Sequence, residues 1–153
     1  MEFETKVQFL TQPEHNRRTI VISDIHGHRA WLEKLLKKVD FSEKDILIIV
    51  GDMIEKGPES LNTIRYIMEL CEKYTVYPMM GNVDLWRIQM LLTEDGSLDQ
   101  ELYETNERMR QYWKATFFQD LCREAGVSVK TPEEIPAARE AVVAKFQKEL
   151  TFM

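Results

Sequence analysis

The sequence predicts an α/β fold, with a parallel β-α-β-α-β core followed by a helical segment. Three short apolar runs rich in β-branched residues are typical of buried parallel strands. Stretches with apolar residues at helical spacing lie between these runs and again in the last third of the chain. Strands that alternate with helices indicate a parallel sheet with right-handed crossovers. We expect the core in residues 1–92 and the helical segment, as part of the same domain, in residues 93–153.

The three predicted strands carry the clearest signals. They are RTIVISD at 18–24, ILIIVGD at 46–52 and TVYPMMGN at 75–82. Pro78 lies within the third run. Because proline has no N–H to donate, this strand fits only at a sheet edge or a bulge.

Helical periodicity predicts which residues face the core. Gly57-Pro58 is predicted to begin the second helix, with Pro58 in its first turn. The acid-rich stretch 94–124 is interpreted as a solvated helix face, and the pattern breaks from Gly126 to Pro136. The predicted buried stripes are Leu32, Leu35, Leu36 and Val39; Leu61, Ile64, Ile67 or Met68, and Cys71; Leu102, Met109, Trp113, Phe117 and Leu121; and Ala138, Val142, Phe146 and Leu150.

Composition and charge restrict the function classes. With 153 residues the chain is long enough for one domain with a hydrophobic core. The net charge of −6 disfavours non-specific binding to a nucleic acid duplex or an anionic membrane, because both need a basic surface. We expect no signal peptide and no membrane span. Cys71 and Cys122 are predicted to be free thiols, which favours a reducing cytoplasm.

Polar signatures follow all three predicted strands. They are SDIHGH at 23–28, GDMIEKG at 51–57 and GNVD at 81–84. Sites in open parallel sheets form at the carboxyl ends of the strands, so these signatures should meet at one edge. The side chains they deliver there are those of Asp24, His26, Asp52 and Asn82.

These side chains suit a pair of divalent metal ions. A carboxylate can bridge two ions, while imidazole and amide groups complete the coordination without excess negative charge. Each residue alone also has an ordinary explanation, since Asp24 could cap a helix and Asn82 could lie in a turn. Three such signatures, each at a strand end, together favour a metal site that binds phosphate.

The three signatures resemble those of the calcineurin-like metallophosphoesterases, D-x-H-G, G-D-x-x-x-[RK]-G and G-N-x-[DE] in this order. The longer stretch GDMIEKGPES is similar to the branch that holds the phosphoprotein phosphatases and the symmetrical diadenosine tetraphosphatases. The resemblance covers residues 19 to about 92 and is faint over the helical remainder. It implies that the sheet is half of an αββα sandwich.

The resemblance also implies roles for the signature residues. Asp24 and His26 would bind the first of two metal ions, which are expected to be manganese, iron or zinc. Asp52 would bridge the two ions, and Asn82 would bind the second. A water activated by the metal pair would attack phosphorus.

Three further residues acquire expected roles near the metal ions. Lys56 stands where that branch has a phosphate-binding arginine, and a lysine keeps the charge but loses the bidentate fork. Asp84 matches the acidic residue that orients a catalytic histidine, so we predict Lys56 and Asp84 as catalytic residues. His28 is expected at the rim, where it could contact substrate together with Lys56.

Two departures from the family pattern change the expectations. Val83 replaces the histidine that is thought to protonate the leaving group, a contribution on the order of 10²- to 10⁴-fold in rate. A low-pKa leaving group, such as a nitrophenolate or a pyrophosphate, needs less of this help. The chain also has no histidine after His28, so we expect an incomplete second metal site and a chain that stops before the second half of the domain.

A half-domain of this kind would expose an apolar sheet face. We expect the helices of 98–150, a second copy of the chain or a missing segment to cover it. Trp31 and Trp86 each lie one turn into a predicted helix. Packing in the core or at the rim is the default for them, with stacking on a nucleobase as the alternative.

The predicted function is metal-dependent hydrolysis of a phosphate ester. The substrate classes are a phosphoprotein, a nucleotide or another phosphomonoester, a dinucleoside polyphosphate and a phosphodiester. A weak or inactive module that binds phosphate or metal is one alternative, which Val83 and the absent histidines favour. An assembly role for the helical segment is another.

Overall fold

The computed structural model describes residues 17–92 and 112–153. Strands β1 (Thr19–Ser23), β2 (Ile46–Val50) and β3 (Thr75–Met79) form a parallel sheet in the order β1-β2-β3. The predicted parallel α/β core is therefore confirmed. Each strand ends before its polar signature, which leaves the signatures free to form loops. Pro78 lies in β3, at an edge of the sheet among the described strands.

The other regular elements of the described chain are helical. They are α1 (Arg29–Lys38), α2 (Ser60–Lys73), α3 (Asn82–Leu92), α4 (Thr116–Ala125), α5 (Ile135–Lys145) and α6 (Gln147–Phe152), with 3₁₀ turns at Tyr112–Lys114 and Pro132–Glu134.

The start of α2 corrects one prediction. The helix begins at Ser60, so Pro58 precedes it and does not lie in its first turn. The cause is the preceding loop, where Gly57 donates to the carbonyl of His26 and Glu59 donates to the carbonyl of Gly27. These backbone bonds hold the chain in a non-helical path for two residues beyond the glycine.

The hydrophobic core lies on one face of the sheet. Right-handed crossovers place α1 and α2 on the same side. Leu47 and Ile49 of β2 are fully buried there and share a core with Ile64 and Ile67 of α2. The predicted stripe of α2 is therefore confirmed at Leu61, Ile64 and Ile67, while Cys71 is only partly buried.

The stripe predicted for α1 is only partly buried. Leu32 and Leu36 lie in the core, but Leu35 is 40% exposed. Leu32 and Leu36 are four positions apart and share the face that meets the sheet, so Leu35 projects to the side. There it lines a cavity together with Trp31.

The C-terminal helices pack on the outer side of the core. Helices α4 and α6 contact α2, and α5 contacts α3 and α4. The described members of their predicted stripes are buried, except that Trp113 is only partly so. Gly126 ends α4 in a left-handed conformation, which explains the predicted break. Leu102, Met109 and most of the acid-rich stretch lie outside the described residues.

The other face of the sheet is open among the described residues. Its side chains include Val21, Val50 and Met79, which are 61%, 44% and 51% exposed. Because the described terminal helices pack on α2 and α3, they do not provide the cover that we expected from them. The predicted exposure of an apolar face is thus present in the described chain.

An ion pair joins the starts of the first two strands. The guanidinium of Arg18 donates two hydrogen bonds of 2.9 Å to the two carboxylate oxygens of Asp45. The backbone N–H of Ser42 donates a third, of 2.8 Å. The hydrogen bonds from Arg18 are the main cause that lowers the pKa of Asp45 from its ordinary value of 3.8 to about 2.

Replacing Asp45 should make stability less dependent on pH. The folded protein holds this carboxyl with a lower pKa than the unfolded chain does, so its contribution is full above about pH 4 and is lost as the pH falls towards 2. We expect Asp45→Asn to lower the free energy of unfolding near neutral pH, with a deficit that shrinks below pH 4. Urea unfolding at several pH values measures this, with Glu43→Gln as the control. A deficit that does not change with pH would contradict it.

Candidate metal and phosphate site

Three loops meet at the carboxyl ends of the strands, as the sequence predicts. Asp24 and His26 follow β1, and Asp52 follows β2. One potential ligand atom from each of the three lies within 4.8 Å of the others. The Nε2 atom of His26 lies 3.4 Å from Oδ1 of Asp24 and 3.7 Å from Oδ2 of Asp52. Two carboxylates and one imidazole thus form a compact donor set.

A backbone contact sets the orientation of the His26 ring. This side chain is buried, and its Nδ1 atom lies 3.2 Å from the carbonyl oxygen of Ile54. A carbonyl can only accept, so Nδ1 carries the proton and donates it in this contact. The unprotonated Nε2 atom then accepts a hydrogen bond of 2.7 Å from Nζ of Lys56 and lies beside both carboxylates. A histidine whose second ring nitrogen donates to a backbone carbonyl is typical of metal ligands.

The two oxygens of Asp52 face different loops. Its Oδ2 atom faces His26, while Oδ1 accepts a hydrogen bond of 3.3 Å from the backbone N–H of Val83. Asn82 is exposed and begins α3 at this turn. Asp52 therefore lies between the loop after β1 and the turn after β3, which is where a bridging carboxylate is expected. Val83 takes part through its backbone alone.

The positive charge of Lys56 lies beside the donor set formed by Asp24, His26 and Asp52. Its Nζ atom lies 2.7 Å from Nε2 of His26, and the lysine is exposed. Lys56 also lines one cavity with Asp24 and His28. Arg87, in contrast, is bound by the carboxylate of Glu55. Among the described residues that line this cavity, Lys56 is the one with a lysine or arginine side chain.

The site loops are held in an uncommon backbone conformation. Asp24, His26, Asp52, Glu55 and Lys56 all have positive φ, between 48° and 71°. Asp and His adopt this conformation more readily than most residues, but each instance still costs on the order of 1–3 kcal/mol. The loops support one another through hydrogen bonds of 2.9 Å and 2.8 Å, from His26 N–H to the carbonyl of Asp52 and from Gly27 N–H to that of Met53. Such strain is common at binding and catalytic sites.

Two pairs of glycines let the loops approach so closely. A Cβ atom added to Gly51 would lie 2.6 Å from the Cα of Gly81. A Cβ atom added to Gly57 would lie 2.7 Å from the backbone of Gly27. Both distances are too short for any side chain, so the motif glycines are required for packing of loop against loop.

Asp84 binds two of the loops from beneath. Its side chain has no exposure, and it accepts hydrogen bonds from the backbone N–H groups of Met53, Ile54 and Gly81 at 2.9, 3.1 and 2.9 Å. Burial raises the pKa of this carboxyl, although the three N–H groups oppose the change. The carboxylate of Asp84 is therefore directed at backbone N–H groups.

Glu55 is a site residue that sequence reasoning missed. Its buried carboxylate accepts from Nε of Arg87 at 3.0 Å and from the backbone N–H groups of Thr116 and Phe117 at 3.1 and 3.2 Å. It also accepts from the Thr116 hydroxyl at 3.2 Å. Glu55 thus caps the start of α4. No periodicity or spacing links positions that lie 61 residues apart.

Comparison with known proteins agrees with this geometry. The family model of the calcineurin-like phosphoesterases matches residues 17–134, which is most of the chain. The chain belongs to the calcineurin-like phosphoesterase family. Among the described helices of this family member, none is long and apolar enough to cross a membrane.

Three curated relatives share one name, symmetrical bis(5'-nucleosyl)-tetraphosphatase. The protein of Buchnera aphidicola subsp. Schizaphis graminum is 45% identical over 65 residues, which cover 42% of this chain and 23% of that protein. That of Shewanella loihica is 46% identical over 68 residues, covering 44% and 24%. That of Coxiella burnetii is 34% identical over 92 residues, covering 60% and 30%. This phosphoesterase chain therefore matches less than a third of the length of each.

The structure brings together most of the residues that sequence and family resemblance single out. Asp24, His26, Asp52 and Lys56 converge, and Asn82 begins the helix beside Asp52. His28 immediately precedes α1 and lines the same cavity, with its ring stacked on Trp31. Asp84 lies below the others, in contact with backbone only among its described hydrogen bonds. The predicted roles of these residues remain predictions.

Removing the carboxylate of Glu55 should destabilise the phosphoesterase domain. Glu55→Ala would leave Arg87 and two N–H groups at the start of α4 without their acceptor, which costs about 3 kcal/mol for a buried ion pair. Urea unfolding measures the loss. Glu69→Ala, at an exposed position of α2, should change the free energy of unfolding by less than about 0.5 kcal/mol. Equal effects of the two substitutions would refute the capping role.

Proposed function

We propose that this chain carries the site of a metal-dependent phosphoesterase that hydrolyses nucleotides or dinucleoside polyphosphates. The observation that carries the proposal is the Asp24–His26–Asp52 cluster, whose potential ligand atoms lie within 4.8 Å of one another and whose imidazole is oriented by the carbonyl of Ile54. Family membership and the name of the curated relatives support the same reaction class. Because the matched region is under a third of each relative, the activity is proposed for the protein to which this region belongs.

The donor set fits a divalent transition metal ion. Two carboxylates and one neutral imidazole suit manganese, iron or zinc, which accept both nitrogen and oxygen ligands. We assign Asp24, His26 and Asp52 to a first ion, and Asp52 with Asn82 to a second. The second ion has fewer ligands in this chain, since the sequence has no histidine after His28. When bound, such ions supply Lewis-acid activation of water and neutralise charge on phosphate oxygens.

The remaining site residues would bind the substrate or hold the loops of the site in position. Lys56 would attract the phosphate as a point charge, with less directional preference than the arginine fork. His28, at the cavity edge, would contact the substrate. For Asp84 we propose a positioning role, because its carboxylate holds the loop after β2 to the turn after β3. These residues place the substrate and keep the donor set aligned.

Val83 limits the leaving groups that the site can release. Its side chain has no proton to donate, while its backbone N–H holds Asp52. General acid catalysis contributes on the order of 10²- to 10⁴-fold in rate. We therefore propose that the enzyme is selective for leaving groups of low pKa, such as a nucleotide released from a polyphosphate chain.

Replacing the bridging carboxylate tests the metal site directly. We expect Asp52→Asn to reduce hydrolysis of nitrophenyl phosphate and bis-nitrophenyl phosphate with added manganese by at least about 100-fold. Manganese affinity measured by calorimetry should fall as well. The matched control is Asp40→Asn, because Asp40 also has positive φ but lies in the exposed turn after α1. Unchanged turnover and unchanged manganese affinity in Asp52→Asn would contradict the assignment of Asp52 as a metal ligand.

The second candidate function is a module that binds metal or phosphate without turnover. Val83 favours this function, as does the absence of further histidines from the sequence. Calorimetry with manganese and a nucleotide, run beside the nitrophenyl assays, separates the two. Binding without turnover supports the module, and turnover of either nitrophenyl ester supports the enzyme.

We also propose that residues 93–153 form one domain with residues 1–92. Three contacts of the described helices support this: Glu55 caps α4, and Arg65 of α2 pairs with Glu124 and Glu149. These contacts argue against a separate assembly role for the helical segment. The two free cysteines, of which Cys122 is buried with its pKa raised to about 11, support a location in the reducing cytoplasm.

The open sheet face is proposed as a contact surface for a second polypeptide, either another copy of the chain or a further segment. Its exposed side chains include the large apolar groups of Val21, Val50 and Met79. We expect the chain to self-associate as its concentration rises in size-exclusion chromatography, and Val21→Glu to shift it towards the monomer. Ala144→Glu adds the same charge at an exposed position of α5 and should not. A wild-type chain that is monomeric at every concentration would contradict association through copies.

A further inference from the structure

A cavity of about 270 Å³ extends from the proposed phosphate position along α1. Its inner end is formed by Asp24, His26 and Lys56, which belong to the site described above. The rest of its lining is largely apolar and includes Ile22 of β1 and Leu32 and Leu35 of α1. The cavity thus joins a charged end to an apolar end within one space.

Two aromatic rings border the apolar part. Trp31 is 70% exposed, although tryptophan is usually largely buried. The ring of His28 stacks on it, with centroids 4.9 Å apart and an angle of 24° between the planes. The stacked pair holds the indole in place at the cavity wall. Leu35, 40% exposed beside it, continues the apolar surface.

We propose that Trp31, His28 and the apolar end of this cavity bind the nucleobase of the substrate while its phosphate lies at Lys56. This inference rests on the proposed phosphoesterase function, which it extends by assigning a site to the non-reacting part of the substrate. An indole face attracts a base by stacking, which contributes about 1–3 kcal/mol per base. A base joined to a phosphate matches the sequence of apolar and charged walls along the cavity.

The volume of the cavity favours a small molecule over a segment of another protein as its ligand. Pockets for drug-sized ligands have volumes of roughly 300–1,000 Å³. A space of about 270 Å³ that also includes the charged end suits one heterocycle and its sugar. Because the outer wall is formed by apolar and aromatic side chains, recognition depends on stacking. We expect purine bases to bind more tightly than pyrimidines, since they present a larger face.

The test compares two ligands that differ by the base. Calorimetry would measure the binding of AMP and of ribose 5-phosphate to the wild-type chain and to Trp31→Ala. We expect AMP to bind the wild type more tightly than ribose 5-phosphate does, and Trp31→Ala to weaken AMP by about tenfold or more. Ribose 5-phosphate should bind both proteins equally. Trp31→Phe should retain most of the AMP affinity, because a smaller aromatic face remains.

The matched control is Trp86→Ala. Trp86 is also exposed, at 36%, but does not line this cavity. The Trp86→Ala variant should therefore bind AMP with unchanged affinity. Equal binding of AMP and ribose 5-phosphate to the wild type, or equal AMP binding by wild type and Trp31→Ala, would overturn the nucleobase site. AMP binding that depends on Trp31, in a protein that hydrolyses neither nitrophenyl ester, would support this site and remove the proposed catalytic function.

Discussion

The buried carboxylate of Asp84 is the interaction on which the geometry of the site depends. It accepts hydrogen bonds from Met53 and Ile54 after β2 and from Gly81 after β3. Two loops that follow different strands are therefore held by one side chain. Asp52 immediately precedes the first pair of donors, and Asn82 immediately follows the last. Because the carboxylate is excluded from water and surrounded by N–H groups, loss of any one contact would leave a buried polar group without its partner.

Glu55 also anchors the loop after β2, through contacts different from those of Asp84. Asp84 ties the loop to α3, and Glu55 ties it to the start of α4 and to Arg87. Lys56 lies next to Glu55, with a backbone that is also in the left-handed region. The backbone that carries the charged Lys56 side chain is therefore held rigidly. The helical segment thereby contributes to the site without placing any of its own described side chains among the proposed metal ligands.

Two separate features support the proposed class of substrate. Val83 retains the backbone bond to Asp52 but offers no proton, which fits a leaving group that departs without one. The cavity beside Lys56 has an aromatic wall that fits a base. A phosphate ester that combines a stable leaving group with a nucleobase is a nucleoside polyphosphate. The exposed apolar face of the sheet is the surface proposed for contact with a second polypeptide.

Patterns in the sequence were sufficient to predict the parallel core, most of the buried stripe of α2 and the meeting of Asp24, His26 and Asp52 at one edge. These follow from periodicity and from the order of strands, which are local or topological properties. Three-dimensional packing was needed to show that Leu35 is exposed, that Pro58 precedes its helix and that Glu55 caps α4. Each of these depends on groups brought together from distant parts of the chain. A buried acid finds its donors wherever packing places unpaired N–H groups, and no short pattern in the sequence records that.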